Sequence, residues 1–230
     1  MNLGLMHRIV LTGNFDGIHA AHQNLFETLK QRAKELNLEP LILTFKPHPR
    51  IFMGFKDTRL LTISSEKEEI VNSLGLKLEF IEFTKELRSL SPEKYLEEIL
   101  IKKFQTKVWM MGYNHSFGKG AIHLNEGLKS FASNQGVSIE QIPEINQGED
   151  KISSTIIRNF ILDGEIEKAN KLLNYSYRIS GKVIDGDKLG RKLGFPTANI
   201  AVENPYKLIP KHGVYAGKIL VQGVEYTCAI

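Results

Sequence analysis

From His7 to Gln141 the chain alternates short apolar runs with longer amphipathic segments, and this alternation restricts its fold more than any other feature. The runs His7–Leu11, Pro40–Phe45, Leu78–Phe83, Val108–Gly112 and Val137–Gln141 predict strands. The segments Ala20–Asn37, Ser65–Leu74, Ser91–Phe104 and Glu126–Gln135 predict helices. In the first helix Leu25, Phe26, Leu29, Ala33 and Leu36 share one face. The third opens on Ser91-Pro92-Glu93, a capping serine followed by a first-turn proline. Such alternation argues for a parallel sheet covered by helices on both faces. The expected fold class is therefore α/β, a Rossmann-like doubly wound parallel sheet. With right-handed crossovers and strand order 3-2-1-4-5, strands one and four lie side by side at the switch point, where ligands bind at the carboxyl ends. The loops 12–22 and 112–118 then flank one crevice.

The pattern changes after Asp150. Ile152-Ser-Ser-Thr-Ile-Ile-Arg158 opens a helix, and Gly164–Leu173 reads as another. From Tyr177 short alternating runs punctuated by glycine replace the helical period, as in a small β-barrel. The expected division is residues 1–175 and 176–230, the second a partial small β-barrel. Cys228 is the single cysteine, which excludes an internal disulfide framework and a cysteine-based zinc site. No apolar run is long enough to span a bilayer, and the N-terminus lacks the pattern of a signal peptide. A cytoplasmic protein without membrane contact is expected. The net charge of +4 and pI near 9.0 suit anionic small molecules. They also suit nucleic acid, but no basic block or basic–aromatic run accompanies them, so nucleic-acid binding is not expected.

Thr12-Gly-Asn-Phe-Asp-Gly-Ile-His-Ala-Ala-His-Gln23 carries the most chemistry. It joins the first strand to the first helix, where free backbone N–H groups and the helix dipole favour phosphate. Gly13 and Gly17 permit a tight turn and close approach to a ligand. A Walker loop needs Lys-Ser/Thr after its glycines, and none follows. His19 and His22 can instead each donate an N–H to phosphate oxygens, the positioning and charge stabilisation that phosphoryl or nucleotidyl transfer requires. Asp16 has three roles open to it: orienting the loop, sitting near a metal, or accepting backbone N–H bonds in the turn.

A second group is Ser153, Ser154, Thr155 and Arg158. Hydroxyls at a helix start cap free N–H groups. Arg158 also shares a helix face with Ser154 and Thr155, a pairing suited to pyrophosphate. Thr44-Phe-Lys-Pro-His-Pro49 is a loop stiffened by two prolines. Gly112-Tyr-Asn-His-Ser-Phe-Gly118 is a glycine-bounded turn. In the segment 181–199, Gly190 and Gly194 allow close approach to a nucleotide, and Thr197 and Asn199 offer hard oxygens to Mg²⁺ and phosphate.

Segment 13–22 resembles the G-x-F-D-x-x-H-x-G-H signature of the nucleotidyltransferase superfamily, with Ala21 in place of the glycine. It is closer still to the bacterial riboflavin kinase/FAD synthetase family. Segments 44–49, 112–118 and 152–158 resemble that family's further motifs, with His115 where phenylalanine is usual. Gly181–Asn199 and His212–Gly217 resemble its kinase signatures. The resemblance implies an FAD synthetase that transfers AMP from MgATP to FMN. Catalysis falls to His19, His22 and Arg158. ATP is held by Gly13, Asn14, Phe15, Asp16, Gly17, Ser153, Ser154 and Thr155. The flavin is placed by Phe45, His48, Asn114 and Phe117. Gly190, Gly194, Thr197 and Asn199 form the kinase nucleotide site, with Thr197 and Asn199 on the metal. The family's kinase barrel continues past residue 230 and includes a catalytic glutamate there, so weak riboflavin kinase activity is expected. The rival readings are another nucleotidyltransferase, a non-catalytic flavin or nucleotide binder, and an RNA-binding barrel.

Overall fold

The computed structural model describes residues 7–112, 124–143, 152–186, 190, 194 and 197–230. Strands β1 (Arg8–Thr12), β2 (Glu39–Lys46), β3 (Lys77–Glu82), β4 (Thr106–Gly112) and β5 (Ser138–Ile142) form one sheet in the order β3-β2-β1-β4-β5. Every pairing within it is parallel. The expected α/β doubly wound sheet is therefore found, and its order is the one that sets β1 and β4 side by side at the centre.

Strand residues alternate between two cores. Val10, Leu41, Leu43, Trp109 and Met111 enter one cluster, and Ile9, Leu11, Ile42, Val108 and Met110 enter the other. Helix α1 (Ala20–Leu36), after the four-residue α2 (Pro49–Phe52) helix α3 (Ser64–Ser73), and their residues Phe26, Leu29, Ala33, Ile70 and Val71 cover the second face. The first face is covered by α4 (Lys85–Ser89), α5 (Pro92–Lys94) continuing as a π-helix over Tyr95–Lys103, and α6 (Glu126–Asn134). Ser91 caps α5 as expected, its hydroxyl accepting from the Lys94 N–H. Leu36 departs from expectation. It is exposed, as the last residue of α1 before the left-handed C-cap at Asn37.

Helices α7 (Ser154–Asp163) and α8 (Ile166–Leu173) build a third cluster beside the sheet from Ile157, Ile161, Ala169, Leu173, Leu61 and Leu208. Beyond it, β6 (Lys182–Ile184) pairs with β7 (Asn199–Ala201), and β8 (Ala216–Val221) with β9 (Val224–Ala229). Among the described residues these are two separate antiparallel ribbons. Between them the segment 204–208 returns to the first part of the chain. Leu60 N–H donates to Tyr206 O, and Leu208 N–H to Leu60 O. No described helix is long and apolar enough to cross a membrane.

Candidate functional site

At the carboxyl end of β1 the chain makes a turn that ordinary residues avoid. Phe15 and Ile18 have φ of 45° and 38°, in the left-handed region. The Phe15 ring folds back so closely that a Cβ on Gly13 would lie 2.6 Å from its Cζ, which is why glycine stands there. Gly17 has φ +82°, and a Cβ on it would strike the Leu61 side chain at 2.7 Å. Strain of this kind persists only when the surroundings hold it. Here they do so from several directions. Gly17 N–H donates to Thr62 Oγ1 at 2.9 Å, and Tyr175 Oη donates to Gly17 O at 2.6 Å. Gln23 Nε2 donates to Ile18 O and Leu173 O, both at 2.8 Å. The buried Lys67 ammonium donates to Asn14 O at 2.6 Å.

The turn delivers His19 as the N-terminal flanking residue of α1 and His22 one turn on. Their rings stack at 3.7 Å with 14° between planes, and the Phe15 ring meets His22 edge-on at 5.4 Å. Both Nδ1 atoms are buried without a hydrogen-bond partner among the described residues. Burial lowers the pKa of His19 to about 4. It drives that of His22 lower than usual too, helped by His19 and Lys67. At neutral pH the pair is uncharged, and each imidazole offers one N–H and one lone pair. Burial also lowers the pKa of Lys67, to about 8.

Asp16 settles among its open roles in a way the sequence does not show. Its Oδ1 accepts from the backbone N–H groups of Leu61 and Thr62, at 3.0 and 3.1 Å. These lie in a distant strap, not in its own turn. Oδ2 accepts from Arg158 Nη2 at 2.7 Å. Oδ1 thus accepts two bonds and Oδ2 one, so the carboxylate anchors the turn to the strap and to α7. Arg158 Nε donates to Arg59 O at 2.8 Å, on the same strap. Ser154 Oγ donates to Asp16 O at 2.9 Å, while Thr155 is exposed at the helix start. Ser153 flanks α7 with only a long cap, 3.4 Å from the Ile156 N–H. The structure thus brings Gly13, Asn14, Phe15, Asp16, Gly17, His19, His22, Ser153, Ser154, Thr155 and Arg158 to one end of the sheet.

The other expected positions divide. His48 caps α2, its Nδ1 accepting from the Arg50 N–H at 3.2 Å. Burial lowers its pKa to about 4, against the pull of Asp16 and with the help of Lys67 and Arg158. Phe45 is half-buried against Phe83, with ring centroids 5.4 Å apart. Asn114 and Phe117 lie outside the described residues. Gly190 and Gly194 flank residues outside the described set. Thr197 and Asn199 are exposed, and Asn199 lies against Gly186, where a Cβ would meet its Nδ2 at 1.8 Å. Sequence reasoning missed Thr62, Lys67 and Tyr175. A lysine at the first turn of an amphipathic helix, or a tyrosine in a linker, has no local pattern that separates it from a solvated residue.

Comparison with known proteins gives two family matches. A sequence model described as FAD synthetase matches residues 5–156, and one described as riboflavin kinase matches residues 173–230. A bifunctional riboflavin kinase/FMN adenylyltransferase of Listeria monocytogenes is 38% identical over 221 residues, 95% of this chain and 69% of that protein. Its namesake in Bacillus subtilis is 34% identical over 222 residues, again 95% of this chain and 69% of the relative. The Escherichia coli namesake is 30% identical over 221 residues, 94% of this chain and 69% of the relative. A crystal structure described as a macrolide-efflux protein from Streptococcus pneumoniae superposes with a TM-score of 0.82 at 27% identity, over 99% of this chain and 75% of the other.

Proposed function

The chain belongs to the FAD synthetase family, and from that premise we propose that it transfers the adenylyl group of ATP to FMN. An oxygen of the FMN phosphate attacks the α-phosphorus of ATP in line. A new P–O–P link forms, the bond to the β-phosphate oxygen breaks, and pyrophosphate leaves. No covalent enzyme intermediate is needed. The observation that carries this reading is the stacked His19–His22 pair at a helix start, three residues after Asp16, to which Ser154 and Arg158 of α7 are bonded.

The chemistry asks for positioning and for charge stabilisation as it develops. His19 and His22 donate N–H groups to the phosphate being transferred. Because burial keeps them neutral, their attraction to phosphate strengthens as negative charge arrives. Arg158 holds the leaving pyrophosphate with donors other than those given to Asp16 and Arg59, and Thr155 adds an exposed hydroxyl. Phe45, His48, Asn114 and Phe117 place the flavin. Mg²⁺ suits the triphosphate oxygens and arrives with ATP, where it neutralises phosphate charge. The reaction belongs in the cytoplasm, with ATP, FMN and riboflavin as the small-molecule partners.

The division into residues 1–175 and 176–230 is part of the proposal. For the second part we propose a riboflavin kinase element whose own phosphoryl transfer is weak beside adenylyl transfer. Asn199, at the start of β7, and Thr197, two residues before it, are proposed for the metal and nucleotide there and are exposed. Incubation with MgATP and either FMN or riboflavin, followed by separation of the flavins, tests both parts. FAD from FMN at saturating substrate is expected, with far slower FMN from riboflavin. Absence of FAD above background contradicts the adenylyltransferase assignment.

A further inference from the structure

The strap 59–62 has two sides. On one side its atoms hold the site: Arg59 O accepts from Arg158, and Leu61 N–H and Thr62 N–H donate to Asp16. Thr62 Oγ1 accepts from Gly17 N–H. On the other side the strap is fastened by a charge pair between Lys207, far along the chain, and Glu66, in the first turn of the helix that follows the strap. Lys207 Nζ donates to Leu61 O at 2.7 Å and to Glu66 Oε2 at 2.6 Å. The same Glu66 oxygen accepts from Ile63 N–H at 3.1 Å, and its Oε1 accepts from Ser180 Oγ at 3.1 Å. The Tyr177 ring lies 4.4 Å from the Lys207 ammonium. Both side chains are sealed from water, at 1% and 2% exposure. The strap also pairs through Leu60 with residues 206–208.

We propose that Lys207 and Glu66 are positioning residues for adenylyl transfer, acting through the strap on Asp16 and Arg158. The proposal rests on the FAD synthetase reading. It adds that a residue within the riboflavin kinase match sets the geometry of the adenylyl-transfer site. Two charges out of water are expensive to keep, and an apolar pair of similar volume often serves stability as well. What an apolar pair cannot do is hold a specified carbonyl. Lys207 gives one donor to Leu61 O, whose flanking amides hold Asp16. A shift of the strap by a fraction of an ångström therefore displaces Arg158 and Asp16 together.

The test compares Lys207→Met with Leu100→Ala, a destabilising change in the core on the far face of the sheet. Both are assayed well below their melting temperatures for FAD formation and for amide exchange at Gly17, Leu61 and Thr62. Lys207→Met is expected to lower kcat/KM for ATP by roughly tenfold to a hundredfold, the cost of small misplacement. KM for FMN should not change, and exchange at the three amides should rise. Leu100→Ala should lose heat stability without either effect. Glu66→Gln keeps an amide oxygen for Lys207 and should fall between; it carries the test if Lys207→Met does not fold. Unchanged ATP kinetics and unchanged strap exchange in the variants overturn the proposal. A wild-type protein that forms no FAD overturns the assigned reaction instead, and the exchange result then decides whether Lys207 governs the strap.

Discussion

The two ends of this chain use similar apolar content to different effect. In the first, each central strand is parallel and flanked, so both faces of residues such as Val10, Leu11, Trp109 and Met110 are buried. In the second, the ribbons leave Val183, Ile184, Leu220, Val224 and Tyr226 exposed. Alternation in a ribbon assigns side chains to faces, but burial needs a second layer, and none is packed on these ribbons among the described residues. Among the described residues of the second region Lys207 and Leu208 are the buried ones, held against Leu61 and Glu66 of the first region and by Tyr177. A helix-covered parallel sheet supplies a rigid edge on which a strained loop can be held. The candidate ligands of the second region, Thr197 and Asn199 at the start of β7, are exposed.

This contrast can be broken in several ways. The largest expected effect is at the histidine pair. His22→Ala should lower turnover by roughly 10²-fold or more, the usual cost of losing a donor to developing charge, with FMN affinity little changed; steady-state kinetics and FMN titration check this. Next comes packing. Leu100→Ala should cost about 2–5 kcal/mol in denaturant unfolding, as for a buried leucine. Leu220→Ala in β8 should stay within about 0.5 kcal/mol, as for a surface change. Equal losses would mean that the ribbon is as well buried as the sheet.

A smaller effect concerns pH. The folded pKa of His19, about 4, lies below its ordinary 6.5. The unfolded chain therefore binds the proton more readily, so stability is full above pH 6.5 and declines as pH falls toward 4. His19→Gln should flatten the fall in melting temperature across that window relative to wild type. An unchanged slope would mean that the imidazole is not buried neutral. The smallest effect is at Ala21, half-buried in the first turn of α1. Ala21→Gly should cost less than about 1 kcal/mol and leave turnover intact; a large loss with the fold retained would show that the methyl contributes to the site.

Much of this was readable without coordinates. The five strands and the site loop follow from periodicity and from glycine and histidine placement, because those features act locally, whereas the strand order, a matter of long-range pairing, entered only as a condition. The helices Pro49–Phe52 and Lys85–Ser89 went unread, being too short to show a period. What holds Asp16 was also invisible. The Leu61 and Thr62 amides and Arg158 come from far along the chain, and a backbone amide has no sequence signature. The burial of Lys207 was hidden for the same reason. Lysine in a polar turn reads as solvated until a carboxylate such as Glu66 and the Leu61 carbonyl are brought to it by the fold.

Adenylyl transfer is assigned to the site at the end of β1. It is tested most directly by following label from ATP into flavin, with FMN as the sole acceptor. With ATP labelled at the α-phosphorus, label should enter FAD in proportion to pyrophosphate released. With ATP labelled at the γ-phosphorus, it should appear in pyrophosphate and never in flavin. Label absent from flavin in the first case, or present in flavin in the second, would contradict it.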